Sequence, residues 1–349
     1  MPPVPRKIVL DMDNGLTLPV TDPDDALALA LALVSPEVEL MGCTCCAGNC
    51  RSRQSAENTL KMLALAGRQD IPVAAGREAP LLRERRAHFD YLARKSRGPE
   101  ARFWAHLTRT APPALPFASP KAHELIIDLV RAHPGEISFV MLGALTNLAL
   151  ALLAAPEIVP LIKSVVHMGG GFQPTETGDA PLEWITPDIP DSIWREVLRF
   201  NTLFDPEASS VVFKSGIPLT LIPVNVTARV FQRPADIDRL EHCATSYHRH
   251  LLAHGRPWVA WSMAVRRLPG AHMHDPLTLA ALIDPALCRF RTMNLDTAKL
   301  LAGDDDWLGG GTGACRAQVA VAVEARKFEQ LLARRLTRIP LQPGPPPAE

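Results

Sequence analysis

Short apolar runs that close on small or acidic residues alternate, along most of this chain, with amphipathic stretches of helical length. A strand buried on both faces reads as a continuous apolar run, and parallel strands need a crossover long enough for a helix. The alternation therefore selects βαβ units around a largely parallel sheet. Strands are expected at 7–10, 38–43, 71–74, 137–142, 162–167 and 219–224. Helices are expected at 25–34, 52–66, 120–132, 145–154 and about 206–215, in stretches between Pro234 and Arg267, and after Asp275. The fold class is α/β: an open, mostly parallel central sheet flanked by helices, Rossmann-like. Two stretches break the pattern, 80–119 and 169–192, and the first is a candidate lid because it is long and rich in charge, aromatics and proline. With no internal repeat and no linker composition, one domain over 1–340 is expected, followed by a Pro-rich tail (341–349) that cannot pack.

The strongest local chemistry lies in DMDNGLTLPVTDPDDALALALAL, where Asp11, Asp13, Asp22, Asp24 and Asp25 crowd the end of the first strand and the start of the next helix. In open α/β sheets ligands bind at that edge. Crowded carboxylates repel each other unless a cation neutralises them, and hard cations such as Ca²⁺ and Mg²⁺ take carboxylate oxygens. The plainer reading is that Asp22, Asp24 and Asp25 cap the helix and offset its N-terminal dipole.

Composition excludes several function classes. Lys plus Arg equals Asp plus Glu at 37 each, without a long run of either sign, so a nucleic-acid partner is not expected. No stretch approaches the length of a spanning helix, so no membrane role is expected. The N-terminus reaches the first strand too soon for a signal peptide, and a cytoplasmic location with seven free thiols is the expectation. Cys43, Cys45, Cys46 and Cys50 do not read as a zinc site, because alternate strand residues face opposite ways. The glycines after Gly309 lack the strand–loop–helix context of a phosphate cradle. On one helix His250 and His254 are spaced to share a face, read as solvated or packed.

Taken together, several segments resemble the nucleoside hydrolase family, of the inosine-uridine preferring N-ribohydrolase type. Asp11, Asp13, Gly15, Asp24, Asp25 and Ala26 match its opening motif around an insertion. CTCCAGN, LGALTN, VVHMGGGF, FNTLFDPEA and HMHDPLTL follow in family order, from Lys7 to about Pro285. The resemblance implies hydrolysis of a ribosyl N-glycosidic bond in a small nucleoside-like substrate, with Ca²⁺ as cofactor and a homodimer or homotetramer as the working form. It implies that Asp13, Asp25, Asp275 and the main-chain carbonyl of Leu142 hold the ion, that Asp13 is the general base, and that His274 serves the departing base. Asp24, Asn49 and Asn201 would bind the ribose.

Two departures from the family stand out. Extra residues, LTLPVTDP, separate Asp13 from Asp24, so that the loop must bulge and return, and Asp22 either lies on the bulge or enters the site. Arg199 stands where the family has a glutamate two residues before the asparagine; it is a candidate substrate residue for an anionic 5′ end, since guanidinium pairs bidentately with such groups. A phosphatase of the haloacid dehalogenase type also ends its first strand in Asp-x-Asp, but here Gly15 replaces the usual Thr or Val, and Asn49, Asn201 and His274 would have no task. A catalytically silent nucleoside-binding protein is the alternative of a different class, which retention of all the metal-site positions opposes.

Overall fold

A computed structural model describes residues 4–107, 121–171, 200–243, 245–304, 307–308 and 315–338. Strand β1 (Arg6–Met12) leads to helix α1 (Asp24–Val34), then β2 (Val38–Cys45), α2 (Ser52–Leu65) and β3 (Val73–Ala75). After α3 (Arg86–Lys95) and a 3₁₀ turn (Pro99–Trp104) come α4 (Ala122–Ala132), β4 (Ser138–Met141), α5 (Thr146–Ala154) and β5 (Ser164–Met168). The chain continues through α6 (Phe200–Phe204), α7 (Pro206–Lys214), β6 (Leu219–Ile222), α8 (Val224–Thr227), β7 (Phe231–Gln232), α9 (Pro234–Glu241) and α10 (Ser246–Ala264). It ends with β8 (Ala271–His272), α11 (His274–Ile283), β9 (Cys288–Leu295), α12 (Thr297–Ala302), β10 (Cys315–Val323) and α13 (Ala325–Leu336).

The main sheet has eight strands in the order β3-β2-β1-β4-β5-β6-β10-β9, parallel except for the antiparallel β10–β9 pair. The order reverses between β1 and β4, which opens a crevice beyond their C-terminal ends. Alternation along β1 feeds two cores: Ile8, Leu10 and Met12 face one, with residues of α1, α2, α11 and α13, while Val9 faces the other, with residues of α4, α5 and α7. Helix α1 is buried from Asp24 to Ala32, as its alanine–leucine sequence requires, because a helix apolar all round is stable only between layers. Burying each of its leucines contributes roughly 1.5–3 kcal/mol, enough to hold two aspartates at its start in a place where they would otherwise be costly.

The expected strands and helices up to α11 are present with shifted ends. Residues 80–119, read as irregular, contain α3 and the 3₁₀ turn. The dense charge of RERRAHFDYLARK masked a helix that buries Phe89 alone. The C-terminal pair β9 and β10 and the final helix were not anticipated. Strand β9 is an edge strand whose Arg289, Arg291 and Thr292 are not buried, so it lacks the apolar run that marks a central strand. All seven cysteines are free, as expected. No described helix is long and apolar enough to cross a membrane. The second irregular stretch beyond residue 171, the glycines from Gly309 and the tail lie outside the described residues.

Candidate active site

The crevice at the β1/β4 switch is lined by carboxylates delivered from three segments. Asp13 follows β1, Asp24 and Asp25 open α1, and Asp275 lies in the first turn of α11. Carboxylate oxygens of Asp24, Asp25 and Asp275, all buried, lie within 4.8 Å of one another. The main-chain N–H of Asp13 donates to Oδ1 of Asp25 over 3.2 Å, and that of Asp275 to Oδ2 of Asp24 over 3.0 Å. Oδ2 of Asp25 is buried with no hydrogen-bond partner. All the donors here are hard oxygens, the set that Ca²⁺ or Mg²⁺ takes, and an orphaned carboxylate oxygen is what a missing cation would leave. The residues present therefore fit such an ion.

Asp13 stands beside that trio, its charge acting on Asp25 and Asp275. Its Oδ2 accepts the main-chain N–H of Asn49 at 2.7 Å, and its Oδ1 the Asn49 side-chain amide at 3.5 Å. Burial, then the charges of Asp24 and Asp11, push the Asp13 carboxyl up to about 7. Burial followed by neighbouring carboxylates also raises Asp25 and Asp275 well above the carboxylate range. Gly48 is part of this arrangement, since a Cβ there would fall 1.9 Å from Oδ2 of Asp13.

Leu142 follows β4, and its carbonyl accepts Nδ2 of Asn201 at 2.6 Å, an amide that also reaches the Met168 carbonyl at 3.1 Å. His274 shares a 2.6 Å hydrogen bond between its Nδ1 and the hydroxyl of Thr227. Burial, with His272 and Arg266 adding to it, drives its pKa well below the usual imidazole range, so the ring is neutral at physiological pH. Arg199 lies outside the described residues.

The insertion after Asp13 bulges and returns, and α2 pins it. Asn58 donates from Nδ2 to the Asn14 carbonyl at 2.8 Å and accepts the Thr17 hydroxyl on Oδ1 at 2.8 Å. The Cys50 thiol reaches the carbonyls of Asp13 and Asn14, each at 3.4 Å. Asp22 is half-buried at the return of the bulge, where its Oδ1 accepts the main-chain N–H of Asp24 at 3.3 Å, as a helix cap does. Sequence reasoning gave no task to Asp11, whose Oδ2 takes the Thr44 hydroxyl at 2.6 Å and the Asn147 amide at 2.8 Å. It also missed Thr227 and Asn58, whose roles depend on contacts between segments remote in sequence. The candidate lid helix α3 lies against this site, with a His88 ring nitrogen 3.0 Å from the Gly48 carbonyl.

A doubly wound α/β sheet with a buried carboxylate crevice at its switch point defines the class of α/β proteins that take a small polar ligand at that edge. The sequence model of the inosine-uridine preferring nucleoside hydrolases matches residues 8–330, and the chain belongs to that family of N-glycosyl hydrolases acting on ribonucleosides. It is 30% identical over 344 residues to the inosine-uridine preferring nucleoside hydrolase of Crithidia fasciculata, covering 96% of this chain and 99% of that one. It is 33% identical over 295 residues to a pyrimidine-specific ribonucleoside hydrolase, RihA, of a Shewanella strain, covering 81% and 79%. Among solved structures, a plant nucleoside hydrolase superposes with a TM-score of 0.72 at 27% identity, covering 96% of this chain and 99% of that one.

Proposed function

We propose that the chain hydrolyses the N-glycosidic bond of a ribonucleoside with a calcium ion at the carboxylate cluster and Asp13 as general base. The observation that carries this reading is the buried, partnerless Oδ2 of Asp25 among Asp24 and Asp275, beside a carboxyl held at about 7. Asp13, Asp25, Asp275 and the Leu142 carbonyl would hold the ion; Asp24, within the same trio, borders both ion and sugar. When bound, calcium supplies the positive charge that acidifies water next to Asp13.

Asp13 takes the proton of the attacking water, a task that favours a base with a pKa near the working pH. Asn49 fixes the direction of that carboxylate through its two hydrogen bonds. Asp24, Asn49 and Asn201 bind the ribose hydroxyls, in contacts that accelerate the reaction when they strengthen as the sugar approaches an oxocarbenium ion. His274, neutral and oriented by Thr227, offers a hydrogen bond to the departing base. Arg199 is kept as a residue for an anionic 5′ end.

The first test is metal content by elemental analysis, with ribose release from a panel of nucleosides and their 5′-monophosphates by wild type and Asp13→Ala. About one calcium per chain, with release abolished in the variant, is expected. A clear preference for uncharged nucleosides would remove the role given to Arg199. Absence of release from every compound would leave a catalytically silent binding protein. Gel filtration of the same preparation tests the homodimer or homotetramer.

A further inference from the structure

We propose that His250 and His254 form a second metal site, for a borderline transition-metal ion such as Zn²⁺, built from nitrogen donors and distinct from the carboxylate cluster. The two histidines stand one turn apart on α10, the spacing that brings two side chains onto one face. Their ring centres are 5.4 Å apart, with the planes 78° to each other. At a Zn–N distance of about 2.0–2.1 Å, a ring centre lies about 3.2 Å from the ion, so two imidazoles on a tetrahedral ion have centres about 5.2 Å apart. The rings are therefore already close to the separation a shared ion requires.

The donor atoms are available. Nε2 of His250 and Nδ1 of His254 are both buried with no hydrogen-bond partner. A buried ring nitrogen without a partner costs free energy, and an ion bound between the two would satisfy both. Burial first, then neighbouring positive charge, lowers each ring to about 4, so at neutral pH both present the uncharged imidazole that a metal takes. Tyr247 and Trp258, on the same face, also carry buried polar atoms without partners. Water supplies the remaining coordination.

Among the described residues no third His, Cys, Asp or Glu completes a group with the two rings, so the protein supplies two ligands only. The ammonium of Lys61, on α2, acts on both rings and opposes a cation. Among the described residues Lys61 has no ion pair to cancel that charge. The site therefore binds below its intrinsic strength, and neutralising Lys61 strengthens it.

The test is calorimetric titration of calcium-saturated protein with ZnCl₂, and separately with NiCl₂, for wild type, His250→Gln, His254→Gln and Lys61→Met. Calcium saturation keeps zinc out of the carboxylate cluster, and any zinc held by cysteines is common to all four proteins. The expected result is a site in wild type that loses at least about tenfold in affinity in each histidine variant and gains affinity in Lys61→Met. Zinc should also shift the His250 and His254 ring resonances of the unaltered protein, a readout that needs no variant to fold. Zinc binding that is equal in wild type and both histidine variants, or ring resonances that do not move, overturns the site. Weaker zinc binding in Lys61→Met overturns it too, since removing a neighbouring positive charge must strengthen a cation site.

Discussion

The main-chain N–H of Asp13 donates to Oδ1 of Asp25 across 3.2 Å, leaving Oδ2 of Asp25 buried without a partner. That single bond ties the end of β1 to the start of α1 and aims an unsatisfied oxygen into the carboxylate cluster. The metal-free protein accordingly prefers its carboxyls protonated: Asp11 rises to about 6 and Asp13 to about 7, burial being the larger cause in each. A carboxyl raised in the folded state stabilises fully below its unfolded pKa of about 3.9 and loses that contribution as pH rises through the folded value. In a chelator the melting temperature should fall between about pH 4 and pH 7. Calcium should abolish most of that fall, and its affinity should rise with pH over the same window. Melting curves with and without chelator decide it; a chelated protein whose stability climbs through this range would show that no proton replaces the ion.

Asp13→Asn separates charge from fold. The amide keeps the volume and removes a base, so ribose release should drop by about 10²–10⁴-fold, the usual worth of general-base catalysis. Stability in chelator should hold or increase, because one of the charges that raise Asp25 is gone. Turnover and melting temperature measured on the same preparation test the two halves separately.

His274 works, in this reading, as a neutral ring steered by the Thr227 hydroxyl. Thr227→Val should lower kcat by about tenfold with little change in KM, a smaller loss than in His274→Ala, since the ring stays but loses its fixed orientation. The His274 ring should not titrate in an NMR series from pH 8 to about pH 6, in keeping with its burial. A midpoint inside that range would remove the neutral-ring role given to His274.

How far the site could be read from sequence follows from which contacts are local. The crowding of Asp13, Asp24 and Asp25 was legible because they sit at a strand end and in a helix's first turn, which periodicity locates, whereas Asp275 was singled out only by the family resemblance. Residue 142 was placed as the last of its strand. Asn58 and Thr227 were not legible, because each acts through a partner, Asn14 or His274, more than forty positions away, and neither lies in a catalytic pattern. Helix α3 was hidden for a different reason: with Phe89 as its only buried residue, it has no apolar stripe for a period to reveal. Strand β9, half exposed at the sheet edge, escaped in the same way.

The insertion between Asp13 and Asp24 gives a final prediction. Its return depends on Asn58, which bridges the Asn14 carbonyl and the Thr17 hydroxyl with two bonds of 2.8 Å. Asn58→Ala removes both and leaves a buried carbonyl held only by the weaker Cys50 thiol, a loss of about 1–3 kcal/mol. Asn58 lies on α2, outside the central sheet, so the fold should persist with a lowered melting temperature. Asn14 follows Asp13 directly, so loosening the turn should move the base as well as the bulge. The expected outcome is a fall in kcat beyond what lost stability explains at a temperature where the variant remains folded, with calcium affinity weakened in parallel. Asn58→Asp, which keeps the acceptor for Thr17 and loses the donor to Asn14, separates the two bonds. If the Asn14 bond is the one that positions Asp13, this variant should be as impaired as Asn58→Ala; turnover near wild type would assign the role to Thr17 instead.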